Sequence, residues 1–447
     1  MEKEAILELL NESPMRVAEL HSAFSEMNVV NIADIFKDEN KETDLRIFRL
    51  LPKSIASEVF SYIDPDEQQM LIEALSDNEV RDIMNKLFVD DAVDLIEEMP
   101  ADVVKRVLQN TQNEKRKIIN QMLKYPEDSA GSIMTTEYVD LSEDATVNEA
   151  FDEIRKNGIN KETIYTCYVI RRDRLLVGVV SAKTLMLSKP GDRIGDIMDA
   201  TFVSAHTTDD QELITQQFKK YGLLAMPVVD NENRLVGIIT VDDVVQIIEE
   251  ENTEDFEKMG ALKPSEEPYL KTGVFTQVRN RIVWLLFLML SATITGGIIA
   301  SFEDALAVLP VLIAFIPMLM DTGGNAGSQS STLIIRGMAL GEVGFKDIAV
   351  VLWREIRIGF LCGFILGFIN FIRIYLTNGK NSLLAVTVTL SLMLTLMIAK
   401  SLGCFLPMVA KKLKVDPAIM AAPLITTIVD GASLWIYFVI AKMMFKL

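Results

Sequence analysis

Apolar and polar positions follow three different rhythms along this chain, and each predicts its own architecture. Between residues 50 and 124 a large apolar residue recurs every twelve positions, at Leu51, Ile63, Leu75, Leu87, Met99 and Leu123, with Thr111 as the polar break. Turn signals stand beside them at Leu51-Pro52, Asp64-Pro65, Ser76-Asp77, Asp90-Asp91 and Pro100-Ala-Asp102. Each unit reads as a cap followed by about two helical turns, because Pro suits the first helical position and Asp or Ser the cap. Helices this short cannot bury their faces alone, so the pattern predicts a stacked superhelix.

From residue 128 to 250 the pattern becomes a tandem repeat. The first copy holds Gly131-Ser-Ile-Met134-Thr and then Leu175-Leu-Val-Gly-Val-Val-Ser181. The second holds Gly195-Asp-Ile-Met198-Asp and then Arg234-Leu-Val-Gly-Ile-Ile-Thr240. The methionines lie 64 residues apart and the strand glycines 59. Amphipathic helices start at Val147 and Gln211, β-branched strands stand at Tyr168-Val-Ile and Pro227-Val-Val, and Val241-Asp-Asp-Val-Val-Gln-Ile-Ile248 follows the last strand as a helix. The predicted order is strand, helix, strand, strand, helix. It resembles a pair of CBS domains, and the Leu-Val-Gly-Ile-Ile-Thr-Val-Asp-Asp-Val run is a fairly specific sign of that family. That resemblance implies adenine-nucleotide binding, often found in CBS pairs, with a Ser/Thr-x-x-Asp motif gripping the ribose. Thr240-Val-Asp-Asp243 fits that motif, whereas Ser181-Ala-Lys-Thr184 lacks the Asp. At most one nucleotide site is therefore expected, and Thr240 serves equally well as a helix N-cap.

Five long apolar stretches follow, near 282–302, 307–333, 350–376, 383–410 and 418–445. Each exceeds the ~20 residues needed to cross a bilayer. The second contains Pro317-Met-Leu-Met-Asp321-Thr-Gly-Gly-Asn325-Ala-Gly-Ser-Gln329-Ser-Ser, whose helix-weak residues predict a broken backbone. Such a break survives at membrane depth only where it is packed in protein or lines a wet cavity. The fifth contains Asp430, about twelve residues in, and a lone carboxylate there is by default functional. Its alternative is pairing with an intramembrane base, for which Lys400 is the candidate.

Charge sharpens the division. The first 270 residues hold 55 acids against 29 bases, and the remainder holds 8 against 15. An acidic soluble half on an apolar half excludes an ordinary soluble enzyme, and the acidity repels nucleic acid. With only His21 and His206, imidazole catalysis has almost no material, and Cys167, Cys362 and Cys404 form no disulfide or zinc pattern. Met1-Glu-Lys-Glu-Ala lacks a basic stretch before an apolar core, so no cleaved leader is expected. With the acidic half in the cytoplasm, the inner loops carry Arg336, Lys346, Arg354, Arg357, Lys411, Lys412 and Lys414, while the outer side carries Arg373, Lys380, Lys442 and Lys446. The positive-inside rule then places the C-terminus outside. Thr, Asn and carbonyl oxygens around one carboxylate suit a hard cation such as Mg²⁺, Ca²⁺ or Mn²⁺, and Mg²⁺ keeps much of its water.

Assembled, these parts make a multidomain membrane protein. It has a helical-repeat N-domain (1–127), an α/β tandem CBS pair (128–248), a connecting helix and linker (249–275) and a five-helix transmembrane domain (276–447). The order, with Gly-Gly-Asn-x-Gly-x-Gln-Ser and a late Asp, resembles the MgtE family of magnesium channels over nearly the whole chain. The resemblance implies a homodimer in a bacterial plasma membrane, with the pore on its symmetry axis. It also implies cytoplasmic domains that bind Mg²⁺ and shut the pore through a plug helix, here about Glu249 to Gly260. Residue by residue, it implies that Asp430 recognises the ion and Asn325 lines the pore. Glu58, Asp90, Asp94, Glu212, Asp243, Glu251, Glu254, Asp255 and Asp416 match regulatory ligands, and the backbone near Gly131-Ser132 adds a carbonyl. ATP is implied as a further ligand at Thr240 and Asp243. Gly222, Gln246 and Ala422 depart from the family pattern.

The expected function is a channel that admits Mg²⁺ down its gradient and is closed by cytoplasmic Mg²⁺. The rivals are a channel preferring Mn²⁺ or Co²⁺ and a non-conducting membrane-anchored nucleotide or ion sensor. A membrane enzyme ranks last, for want of a nucleophile–base arrangement.

Overall fold

The computed structural model describes residues 6, 17–38, 41–265, 269–420 and 422–446, the side chains of 304, 305 and 422 aside. The start read for a leader at Met1 and the Ala422 side chain lie outside the described residues. Packing divides the chain into two units, Met1–Ile248 and Glu249–Leu447.

In the first unit α1 (Val17–Glu26), α2 (Val29–Ala33) and α3 (Lys41–Leu50) lead into the twelve-residue array. The array comprises α4 (Ala56–Ser61), α5 (Pro65–Ala74), α6 (Asp77–Lys86), α7 (Val89–Glu98), α8 (Ala101–Asn110) and α9 (Asn113–Met122). The last five have 10 residues each, about three turns rather than the expected two. The periodic apolar residue sits just past each helix: Leu75, Leu87 and Met99 are buried C-caps with extended backbone. The next helix then restarts at once; at α6 a capping box between Ser76 and Glu79 satisfies both free N–H groups. Thr111 occupies the same C-cap place. Its hydroxyl donates to the Val107 carbonyl at 2.8 Å, so the polar break is satisfied within its own helix. Helices pack on their next-but-one neighbours, α4 on α6, α6 on α8 and α7 on α9, which builds the superhelix.

The tandem repeat forms two three-stranded sheets of the same design. In one, β1 (Asp140–Ser142) runs parallel to β2 (Thr166–Ile170), which pairs antiparallel with β3 (Leu176–Ser181). In the other, β4 (Ala205–His206), β5 (Ala225–Val229) and β6 (Leu235–Thr240) repeat that pattern. The connecting helices are α10 (Val147–Asn157), α11 (Ala182–Leu187), α12 (Ile194–Ile197) and α13 (Gln211–Tyr221), and α14 (Val241–Met259) follows β6.

The repeated Met and Gly explain one another. Met134 opens the first copy, yet its sulfur lies 2.5 Å from where a Cβ on Gly237 of the second copy would stand. Met198 does the same to Gly178 of the first copy, at 2.6 Å. Neighbouring backbone swaps too, Thr135 bridging to Ile238 and Asp199 to Val179. Each copy is thus completed by the opening segment of the other. One apolar cluster runs from the superhelix into Ile214, Phe218, Val228 and Ile239 of the second copy. Gly222 ends α13 with φ of 62°, a left-handed cap that favours glycine over the acid expected from the family pattern.

Helix α14 is unbroken from Val241 to Met259, although a separate connecting helix from Glu249 was expected. Neither Gly nor Pro stands between those residues, so nothing stops the first helix before Gly260.

The second unit continues with α15 (Val274–Ser301), α16 (Glu303–Val308), a 3₁₀ segment Pro310–Phe315, α17 (Ile316–Ala339), α18 (Ile348–Thr377), α19 (Ser382–Lys412) and α20 (Ala422–Phe445). Among the described residues four segments are long and apolar enough to cross a membrane: Val274–Ser301, Phe345–Thr377, Ser382–Lys412 and Pro417–Phe445. The second expected span, α17, is not among them, because Asp321, Asn325, Gln329 and the small residues dilute its hydropathy.

The expected break in α17 is absent: the helix runs straight through Gly323, Gly324 and Gly327. Those glycines buy close approach instead. A Cβ on Gly323 would lie 2.8 Å from Ser433 Oγ, and one on Gly327 would lie 2.8 Å from Ile425. A Cβ on Gly403 would collide with the Gly327 carbonyl. Lipid offers no hydrophobic drive between helices, so small residues that let backbones touch hold them together. Gly359, Gly363 and Gly367 of α18 do the same against Met397, Met393 and Thr389 of α19.

Candidate functional site

The first unit gathers carboxylates from three places. The first turns of α7 carry Asp90, Asp91 and Asp94. The start of α14 carries Asp242 and Asp243. Glu137 and Glu162 come from the first CBS copy, linked by the Glu162 N–H donating to the Glu137 carbonyl at 2.8 Å. Burial first, and mutual repulsion second, raise the pKa values of Asp90, Asp91, Asp94 and Glu162. Burial, then Asp91, Asp243 and Glu162, pushes the Asp90 carboxyl well above the ordinary range. Burial and Asp243 push Asp91 up to about 6, and burial with Asp91 pushes Asp94 up to about 7. Glu162 is pushed up to about 8 by burial, Asp243 and Asp242, and its Oε2 is buried without a hydrogen-bond partner. Lys115 from α9 is the cation among them, its own pKa lowered by burial.

Asp90, Asp94 and Asp243 are therefore brought into one electrostatic array. Glu58 reaches its edge, where it acts with Asp242, Asp91 and Glu162 on Tyr62. The sequence reading missed Asp91, Glu137, Glu162, Asp242 and Lys115. Only the repeat of acids at the α7 start hinted at the first. Among the described residues no three His, Cys, Asp or Glu side chains converge on one metal position. The array is a loose concentration of charge rather than a closed coordination shell.

Thr240 and Asp243 form an N-cap pair, the Thr240 hydroxyl donating to Asp243 Oδ2 at 2.5 Å. Ser132 and Glu212 share a different corner. Gly131 N–H donates to the Thr207 carbonyl and Gln211 N–H to the Asp128 carbonyl, both at 2.9 Å, which pins the Ser132 turn beside the start of α13. The Ser132 hydroxyl itself donates to the Ser129 carbonyl at 2.9 Å.

In the second unit the end of α14 meets the loop between α19 and α20. Lys258 Nζ stands 2.7 Å from Glu254 Oε1 and 2.7 Å from Asp416 Oδ2. These bonds raise the Lys258 pKa against its own burial. Asp255 is raised by burial and Asp416, and Arg336 and Lys258 oppose that rise. Glu254, Asp255 and Asp416 are thus brought together, and a lysine missed by the sequence reading stands between two of them. Glu251 lies two turns up the same helix, half-buried.

Within the second unit, α17 and α20 run antiparallel. Ser331 bonds the Met420 carbonyl, Gly327 abuts Ile425, Gly324 abuts Thr426, and Gly323 abuts Val429 and Ser433. That register carries half-buried Asp430 beside the glycine face of α17. Asn325 points away from that face and is exposed, as are Asp321 and Gln329 one turn to either side. Lys400 does not pair with Asp430. It donates to Ser330 Oγ at 3.4 Å, and Ser330 donates to Glu355 Oε2 at 2.6 Å, all three groups buried.

Comparisons with known proteins agree over the whole length. The family described as divalent cation transporter, MgtE, matches residues 316–440. The MgtE intracellular N domain matches 27–128, and CBS domains match 130–189 and 194–250. The magnesium transporter MgtE of Thermus thermophilus is 33% identical over 99% of this chain and 98% of its own. That of Bacillus subtilis is 34% identical over 98% and 96%. A crystal structure of the soluble part of a magnesium transporter matches with a TM-score of 0.53 at 27% identity, covering 56% of this chain and 97% of its own. The cytosolic domain of the Mg²⁺ channel MgtE in complex with ATP matches at 0.50 and 31%, covering 55% and 98%.

Proposed function

Since the chain belongs to the MgtE family of divalent cation transporters, we propose that it conducts Mg²⁺ through a membrane pathway lined by α17 and α20 and closes that pathway when cytoplasmic Mg²⁺ is high. The observation that carries this reading is Asp430. It is a half-buried carboxylate within an apolar segment, and among the described residues no Lys or Arg pairs with it. A non-conducting anchor has no use for such a group.

Asp430 would attract a cation that keeps most of its water, with Asn325 and its neighbours hydrogen-bonding that water shell. Asn325 and Gln329 are exposed on a helix at membrane depth, which lipid does not tolerate. A second copy of the chain, related by a two-fold axis, would cover them and complete the pathway. The chain then spans the membrane five times, α17 included, with its acidic half in the cytoplasm and its C-terminus outside. An inside-negative potential favours entry by about 4.6 kcal/mol per 100 mV for a divalent ion, so no ATP hydrolysis is required.

Gating follows from the acids. Glu58, Asp90, Asp94 and Asp243, with their neighbours Asp91, Glu137 and Glu162, repel one another until a divalent cation neutralises them. The oxygen-only donors, the excess of negative charge and the unpartnered Glu162 Oε2 all fit Mg²⁺. Glu212 with the backbone at Ser132 forms a second cytoplasmic cluster, and Glu251, Glu254, Asp255 and Asp416 a third. Filled clusters favour the closed state, and empty ones let it separate. ATP is a further regulatory ligand at Thr240 and Asp243, which would exchange their mutual hydrogen bond for the ribose hydroxyls.

The test is Mg²⁺ flux into proteoliposomes at low and high cytoplasmic-face Mg²⁺, for the wild type and Asp430→Ala. Flux that falls at high Mg²⁺ and vanishes in the variant is expected. Absence of wild-type flux at both concentrations would sink the channel reading. Unchanged flux in the variant would move the ion site elsewhere.

A further inference from the structure

We infer that Asp321 is a second carboxylate of the ion pathway, acting with Asp430 on the same cation and setting how strongly the pathway prefers divalent over monovalent ions. This rests on the channel reading above and adds a residue to it.

Three observations place Asp321 there. The first is its face. Asp321, Asn325 and Gln329 are exposed at successive four-residue steps of α17, while Leu319, Gly323, Ala326, Gly327 and Ser330 are buried on the other side. Asp321 therefore shares the stripe of the proposed pore residue Asn325, one turn nearer the helix start.

The second is its level. The glycine contacts run from Gly327 against Ile425, through Gly324 against Thr426, to Gly323 against Val429 and Ser433. Continuing by two residues toward the start of α17 brings Asp321 to the height of Asp430. The small residues let α17 and α20 pack closely at that level, which sets the two carboxylates at one depth of the helix pair.

The third is what is missing around it. Among the described residues no Lys or Arg forms an ion pair with Asp321 or Asp430. Lys400, the intramembrane base, is held by Ser330 on the buried side of α17 instead. Two uncompensated carboxylates at one depth are costly in a membrane unless a cation stands between them and water reaches it. A divalent ion gains twice per carboxylate what a monovalent ion gains, so a second carboxylate widens the gap between them.

The experiment uses the full chain in proteoliposomes, with low Mg²⁺ on the cytoplasmic face. Mg²⁺ uptake is measured against external Mg²⁺ for the wild type, Asp321→Asn, Asp321→Glu and Asp430→Asn. Na⁺ uptake in divalent-free buffer and its block by added Mg²⁺ are measured in the same vesicles. Elution of each variant as one species in detergent serves as the folding control. For Asp321→Asn, the Mg²⁺ concentration giving half-maximal uptake is expected to rise about tenfold, and that blocking Na⁺ uptake to rise in step. Asp321→Glu is expected to keep both close to wild type. Wild-type values in Asp321→Asn, with uptake lost in Asp430→Asn, would overturn the role of Asp321 and leave the channel reading standing. Wild-type behaviour in both Asn variants would overturn the channel reading's ion site, and this inference with it. Equal loss in Asp321→Asn and Asp321→Glu, without a shift in half-maximal concentration, would assign Asp321 to structure and overturn the inference.

Discussion

Replacing Lys400 by Met isolates the energetics of the buried chain Lys400–Ser330–Glu355. Lys400 is 6% exposed, Ser330 1% and Glu355 8%, and the three lie on α19, α17 and α18. The Ser330 hydroxyl stands between the charges, accepting from the ammonium at 3.4 Å and donating to the carboxylate at 2.6 Å. Met nearly preserves the volume but leaves the Glu355 carboxylate with one hydroxyl as its remaining partner. Breaking a buried ion pair from one side costs about 3–5 kcal/mol. In a unit of this size that is a fall in melting temperature of about 10 °C. Replacing both ends, as Lys400→Met with Glu355→Gln, removes the uncompensated charge and should recover most of the loss. The assay is thermal unfolding of the purified protein in detergent, read by size-exclusion survival after heating. A single variant as stable as wild type, or a double variant no better than the single, would refute the reasoning. Either result would mean that the two charges do not neutralise one another through Ser330.

Lys258→Met leaves Glu254, Asp255 and Asp416 facing one another without their tethered cation. Closure should then need about three- to tenfold more cytoplasmic Mg²⁺, since partly exposed ion pairs contribute only about 1 kcal/mol each; flux inhibition curves check this. Gly403→Ala drives a methyl into the Gly327 carbonyl and should cost about 1–3 kcal/mol or more, whereas Gly296→Ala meets nothing in its own chain and should be neutral; heating in detergent distinguishes them. The acid array should make the first unit less stable as pH rises. Asp91, Asp94 and Glu162 titrate at about 6, 7 and 8 when folded but near 4 when unfolded, so the folded state binds more protons. Without divalent ions stability is fullest below about pH 4 and falls toward pH 8. Mg²⁺ should restore it at pH 8 with release of protons, and amide exchange along 89–98 with and without Mg²⁺ would show it.

What the sequence determined by itself was everything written in local periodicity. The twelve-residue beat from Leu51 to Leu123 yielded the stacked helices, because cap, helix and buried C-cap residue all fall within one repeat. The Met–Gly repeat yielded two like strand–helix modules, and the hydropathy of the long apolar runs yielded the membrane unit, because burial in lipid demands length. Asp430 was legible for the same reason: a charge in an apolar run is conspicuous without any fold.

Tertiary structure decided what depends on distant chain segments meeting. Glu162 sits in a loop with no pattern of its own, and only packing puts it beside Asp91 and Asp243. Lys400 looked like the one base for Asp430, but the rotation of α19 turns it to Ser330 and Glu355. The glycines of α17 read as a break because glycine is weak in an isolated helix. In the structure their missing side chains admit α19 and α20, and packing outweighs propensity. Met134 and Met198 complete the opposite repeats from those they open, which no spacing along the chain could show. A one-dimensional pattern records what each segment must bury, while the partner it buries against is chosen by the whole fold.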